Sequence, residues 1–237
     1  MDKVDRPKRF YKAAHAVPLN EGWTVHLDER ALKTPAKAVL LLPTQALAEA
    51  IAKEWDDQGE ELDLHSMTLT RLANVAIDRT PETRSEMVAE VTRYGETDVT
   101  CYLADAPEAL QKRQDTAWRL WRDWAGQELG IMLVPVIGLM ASPQPQASLD
   151  RIAEIAAEMD DYALTGLAWG CSLFGSIVLA LAVSRGALSG EQALSASCVD
   201  EDWQIEQWGE DDEAKSVRAR RLKDAKAIEV WFKALAS

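Results

Sequence analysis

The sequence predicts an α+β protein with a small antiparallel β-rich unit, residues 1–62, that ends in a helix. A larger all-helical part follows over residues 63–237. Three observations carry this reading. Short strand-like runs between turn signals are confined to the N-terminal part. From Leu62 onward, apolar residues recur at helical spacing between capping signals. The composition is globular, with 47% hydrophobic and 27% charged residues, so wholesale disorder is ruled out. At 237 residues, folding buries roughly 70% of the surface an unfolded chain exposes, so no disulfide or metal staple is needed.

The strand-like runs are Arg9–Val17, Gly22–Leu27 and Ala38–Leu42, parted by Asn20-Glu21-Gly22 and Asp28-Glu29-Arg30. Pro43-Thr44 opens a helix through Gln58, with Leu47, Ala50, Ile51 and Trp55 on one face, and Gly59 stops it. Thr68–Asp78 reads as a short helix, and Thr80-Pro81-Glu82 caps the next, through about Tyr94. Asp105-x-x-Glu108 resembles a capping box opening a helix that ends near Gly130. Its apolar stripe is Leu110, Ala117, Trp118, Trp121 and Ala125. After a Ser142–Gln146 loop, Ser148 caps a helix through Met159. Ser189-x-x-Gln192 is a further capping box, leading into an acidic helix that stops near Gly209. A last helix covers about Glu213 to Leu235.

Tyr162–Ser184 is 23 residues without a charge, long enough to raise the question of a membrane span. Its first half is only weakly apolar, and the rest of the chain is that of a soluble acidic protein. A buried pair of helices is the better reading. Within it, Gly170-x-x-x-x-Gly175-Ser176 lacks the lysine of a phosphate-binding loop, so small-residue helix packing is expected instead.

Charge narrows the function classes. The chain has 26 basic and 39 acidic residues, a net charge of −13, which argues against a nucleic-acid-binding face. Cys101, Cys171 and Cys198 lie far apart and form no Cys-x-x-Cys pair, which fits a reducing compartment. The opening MDKVDRPKRFYK lacks the apolar core of a secretory signal. Bacterial cytoplasm is expected, or the mitochondrial matrix for an organellar protein.

Catalytic signatures are sparse. His15, His26 and His65 stand apart and offer no local cluster of ligands, so no metal site is expected. No Gly-x-Ser-x-Gly elbow exists. Carboxylates are plentiful, yet sequence alone cannot set two of them across a cleft. A carboxylate-based enzyme on a small substrate is one alternative, and an interaction module is another.

Tryptophan stands out, supplying nine of the sixteen aromatics. Trp118, Trp121 and Trp169 fit a core role. Trp203 and Trp208 differ, because they are interleaved with acids in DEDWQIEQWGEDDEA. A half-exposed aromatic patch rimmed by carboxylates suits a protein-binding site; core packing on a solvated helix is the competing reading. Asp200–Glu213 holds eight acids and no base, while Lys215–Lys226 holds six bases and one acid. Pairing between adjacent helices is the first expectation.

These segments, in this order, resemble the family of ATP synthase assembly chaperones that hold the alpha subunit of the catalytic head before the beta subunit joins. The matching stretches are RFYK (9–12), LDERALKTP (27–35), EWDDQ (54–58) and LTRLANVAID (69–78). Next come Tyr94, Thr97-Asp98, Cys101-Tyr102, Gly175-Ser176 and the block Glu201–Gly209, followed by Asp211, Glu213 and Ala214. Met67-Thr68-Leu69-Thr70 departs from the pattern, which has a proline after the methionine. The resemblance implies a β-rich N-terminal domain, a larger helical domain, no enzymatic activity and no cofactor. It implies the unassembled alpha subunit as partner, without nucleic acid or membrane insertion. A critical acidic residue near the C-terminal motif maps best to Glu201, then Glu206, with Trp203, Gln204 and Trp208 beside them. Trp55, Asp78 and Tyr94 match motif positions of structural character. A chaperone that must leave its patch open is expected to be a monomer.

Overall fold

The computed structural model describes residues 6–138 and 142–237. Residues 1–5, which carry part of the reading that excludes a secretory signal, lie outside them. The chain divides into two compact units: Met1–Glu82 with Lys233–Ser237, and Thr83–Phe232. That division falls later than residue 62, because the helix after the β-rich part is joined by a second that belongs to the same unit.

In the first unit, β1 (Ala14–Leu19) pairs antiparallel with β2 (Gly22–Leu27), and β3 (Arg30–Ala31) adds to the far edge of β2. Leu19 faces Gly22 across the turn, as the Asn-Glu-Gly signal predicts. Gly22 sits at φ +152, and a Cβ there would come 2.5 Å from the Leu42 carbonyl oxygen. Glycine is required because Trp23 and Leu42 exchange backbone hydrogen bonds of 2.9 and 2.7 Å beside it. The strand expected over Ala38–Leu42 reduces to isolated bridges, Lys33 to Val39 and Trp23 to Leu42. The edge of β2 is shared: β3 takes His26 and Leu27, leaving Trp23 for Leu42.

Helix α1 (Gln45–Asp56) packs on this sheet with Leu47, Ala48, Ile51, Ala52 and Trp55 buried. The Thr44 hydroxyl caps it, accepting from Leu47 N at 3.1 Å. Helix α2 spans Thr68–Asp78, the bounds expected from sequence. Its first turn is held by α1. Glu54 accepts from the backbone N–H groups of Leu69 and Thr70 and from the Thr70 hydroxyl, at 2.7–2.9 Å. Burial pushes the Glu54 carboxyl above its ordinary range, against these hydrogen bonds.

In the second unit, α3 (Thr80–Glu96) carries a non-helical residue, Thr83, where the units divide. Helix α4 (Glu108–Trp124) runs into a π-helical turn, Ala125–Leu129, and Gly130 at φ 73 ends it. Then follow α5 (Gln146–Glu158), α6 (Asp161–Phe174) and α7 (Ile177–Ser184). After these come α8 (Gly190–Ser197), α9 (Val199–Trp208) and α10 (Asp212–Leu235). Two short strands were not foreseen: β4 (Tyr102–Leu103) pairs parallel with β5 (Val136–Ile137).

The uncharged stretch forms the buried helix pair, α6 and α7, turning at left-handed Gly175. Among the described residues, no helix is long and apolar enough to cross a membrane. Its small residues serve packing: a Cβ on Gly166 would lie 2.6 Å from Trp231 Nε1, and one on Gly170 3.2 Å from the Ala180 Cβ. Trp118 and Trp231 are fully buried and donate to the carbonyls of Ala196 and Tyr162 at 2.7 and 3.1 Å.

Two capping expectations are corrected. Helix α4 begins at Glu108 after Pro107, without a side-chain cap from Asp105. Ser148 lies inside α5, where its buried hydroxyl serves the backbone of Met132 instead. In both cases a proline, Pro107 or Pro145, holds the N-cap position. The Ser189–Gln192 box forms as expected. The acidic helix it opens is broken at Cys198, whose φ −103 and ψ 16 separate α8 from α9.

Candidate functional site

The motifs of the N-terminal two-thirds meet in pairs inside the fold. Arg9 of RFYK donates to the carbonyls of Asp56 and Gln58 in EWDDQ and reaches the Asp56 carboxylate at 3.1 Å. Asp78 accepts from Thr34 Oγ1 at 2.7 Å and Ala36 N at 3.0 Å, tying LTRLANVAID to the turn after KTP. Asp98 is fully buried and accepts four hydrogen bonds, from Thr100 N and Oγ1, Ser176 Oγ and Val178 N. It thereby joins Thr97-Asp98 to Gly175-Ser176 and helps cap α7. Burial holds its carboxyl above the usual range despite those donors. Trp55 is core, edge-on to Tyr11 at 5.8 Å, and its buried indole N–H has no hydrogen-bond partner. Tyr94 is half-buried on α3.

The C-terminal block is different, because it stays at the surface. Asp200, Glu201 and Asp202 occupy the first turn of α9, where carboxylates favour the helix dipole by about 0.3–1 kcal/mol each. Gly209 ends the helix at φ 84. A groove of about 570 Å³ runs between α9 and α10, with Glu201, Gln204, Ile205 and Trp208 on one wall. Val217, Arg218 and Arg221 stand on the other, and Glu210, Asp211 and Glu213 close the end. Trp208 is 79% exposed. Trp203 is half-buried and turns away from this groove toward a second one, about 460 Å³, which Asp200, Gln204 and Trp208 also line. Gln204 and Trp208 therefore form the crest between the two.

The acids are mostly paired, as the charge pattern predicts. Arg221 Nη1 meets both Glu201 oxygens at 3.0 and 2.8 Å. Arg218 bridges Asp202 at 2.7 Å and Glu210 at 3.1 Å. Hydrogen bonding to Asp202 raises the Arg218 pKa, with the nearby carboxylates adding to it. Glu206 does not join the groove; it takes both oxygens to Arg113 of α4 at 2.8 and 2.7 Å. The five residues expected to bind a partner thus separate. Glu201, Gln204 and Trp208 share one groove, Trp203 faces the next, and Glu206 is engaged elsewhere. Sequence reasoning missed Arg113 and the α4-side lining, since residues about ninety positions apart carry no local signal, and Val217, whose approach to α9 depends on the turn between the two helices.

All three cysteines are buried, and burial pushes the Cys101 thiol up to about 12. Burial likewise raises the Cys171 and Cys198 thiols.

Residues 8–126 match the model of the ATP12 chaperone protein. The crystal structure of Atp12 from Paracoccus denitrificans is 39% identical, covers 96% of this chain and 97% of its own, and superposes with a TM-score of 0.88. The Atu1473 protein of Agrobacterium tumefaciens is 38% identical, with a TM-score of 0.91, over 97% of this chain and 86% of its own. The mitochondrial protein atp12 of Schizosaccharomyces pombe is 24% identical over 230 residues, 92% of this chain and 79% of that protein. By fold and sequence this is a chaperone. The chain belongs to the ATP12 chaperone family. The family model stops before α9, whereas the similarity to the two solved structures runs through the grooves.

Proposed function

We propose that this chain is an ATP synthase assembly chaperone that binds the unassembled alpha subunit of the catalytic head and keeps it from aggregating until the beta subunit joins. It acts stoichiometrically as a monomer, in bacterial cytoplasm or, for an organellar protein, in the mitochondrial matrix. The observation that carries this reading is Trp208, four-fifths exposed on the crest between two grooves and rimmed by carboxylates. Exposed tryptophan contributes little to folding and much to association. Release needs no nucleotide, because the beta subunit competes for the same client surface and relative affinities decide the exchange. The chain's net charge of −13 keeps the complex soluble and speeds encounter with basic patches.

The test is co-expression with the alpha subunit of the same source, without the beta subunit. A soluble stoichiometric complex that dissolves on adding beta subunit supports the proposal. Insoluble alpha subunit with no complex removes it.

A further inference from the structure

The segment that leads from α4 toward β5 is built in an unusual way. Ile131 and Leu133 point into the core, while Met132, Val134 and Ile137 are 68%, 49% and 63% exposed. Around Met132 and Val134 the backbone is held without a neighbouring strand. The buried Ser148 hydroxyl accepts from Met132 N at 2.9 Å and donates to Met132 O at 3.0 Å. The buried Gln144 amide does the same for Val134, at 2.7 and 3.0 Å. Two interior polar side chains thus do what a paired strand would do. The outcome is a rigid apolar strip facing water, which gains nothing for folding and has little left to order on association.

The strip leads to the second groove. Gly138 lines it together with Asp105, Asp200, Trp203 and Trp208. Its lining holds two carboxylates and no basic side chain, and the Asp200 partner, Gln114, is neutral. Trp208 and Gln204 belong to both grooves, and Ile137, paired with Leu103 of the second groove's lining, joins the strip to that groove. A second copy of this chain fits poorly here, since each copy carries a net charge of −13.

We propose that Met132, Val134 and Ile137 with this groove seat a short apolar segment of the client, with a lysine or arginine at one end over Asp105 and Asp200. The inference rests on the proposed chaperone reading and adds the place and chemistry of the contact.

The test measures binding of unassembled alpha subunit to the full chain. The variants are a Met132→Asn/Ile137→Asn double substitution, Asp105→Lys, and Val230→Gln as an exposed apolar control on α10. The double variant should weaken binding at least about tenfold, and Asp105→Lys about threefold or more, with melting temperatures unchanged. Val230→Gln should bind as wild type. If the double variant binds normally while Trp208→Ala binds weakly, the strip is not a contact and the chaperone reading stands. If wild type does not bind alpha subunit, that reading falls and this inference falls with it. Should the double variant fold poorly, Ile137→Cys supplies the one exposed thiol, because the native cysteines are buried. A thiol crosslink from it to alpha subunit supports the contact; crosslinks from Trp208→Cys but none from Ile137→Cys overturn it. A sedimentation profile showing that wild type is a dimer closed by this strip would also overturn it.

Discussion

Both carboxylate oxygens of Glu201 rest on a single guanidinium nitrogen, Arg221 Nη1, at 3.0 and 2.8 Å. The pair is partly exposed, so it contributes about 0–1 kcal/mol to folding. Under the proposed function, a client cation that took Glu201 would first have to displace Arg221. Arg221→Gln should therefore tighten binding of alpha subunit, by up to about fivefold, the equivalent of that pair energy. Glu201→Gln should weaken it by about 2 kcal/mol, with urea midpoints nearly unchanged. If Arg221→Gln weakens binding as much as Glu201→Gln does, the client reads the pair and not the carboxylate.

Trp208 and Trp118 should respond in opposite ways to truncation. Trp208→Ala should leave stability within about 0.5 kcal/mol and cost about 2 kcal/mol or more in client binding. Trp118 is fully buried and donates to Ala196 O, so Trp118→Ala should cost about 3–5 kcal/mol of stability. Paired denaturation and binding curves separate the two. Loss of stability in Trp208→Ala would mean that the ring packs in solution.

Gly190 opens α8 against the backbone of α10. A Cβ there would come 1.8 Å from the Ala225 carbonyl oxygen, which cannot move without moving the helix. Gly190→Ala should destabilise by about 3 kcal/mol in chemical denaturation. Gly59→Ala is the control, since nothing lies within 4 Å of its Cβ position. Equal stability of the two variants would show that α8 and α10 pack less closely than described.

Asp98 makes stability depend on pH in an unusual direction. Burial raises its pKa in the folded chain, so the folded state holds the proton more tightly than the unfolded state does. The stability it contributes is complete below the ordinary carboxylate pKa and is lost as pH rises through the raised value. In Asp98→Asn, an amide nitrogen must face a backbone N–H of Thr100 or Val178, leaving that donor unpaired. Wild type should exceed this variant by about 1–3 kcal/mol near pH 5, and the gap should shrink toward pH 8. A gap that widens with pH would mean the hydrogen bonds outweigh burial.

Local signals fixed much of the fold from sequence. Thr68–Asp78 and the Ser189 box depend on neighbours within four residues, and both form where expected. The expectations that failed depend on distant chain. The Ala38–Leu42 strand lost most of its edge to β3, and Ser148 was drawn to Met132 by a backbone that needed partners. The first turn of α2 is capped by Glu54, fifteen positions from Leu69, which no spacing rule reveals. At the candidate site, the Trp and Glu block was visible as composition. The pairing of its acids with Arg218 and Arg221 of the next helix was legible as charge pattern; the second groove and the Arg113–Glu206 pair come from α4, about ninety positions away, and were not.

Thr44, which opens α1, also donates its hydroxyl to Ala234 O at 2.6 Å, across 190 positions. The first unit takes its last piece, residues 233–237, from chain that follows everything in the second. On the ribosome, then, the half made first waits, unfinished, through synthesis of the half made later. A protein stalled before α10 is complete has neither the second wall of its groove nor a closed N-terminal unit. One helix, α10, therefore carries both the second wall of the first groove and, from Lys233 onward, the piece that completes the N-terminal unit.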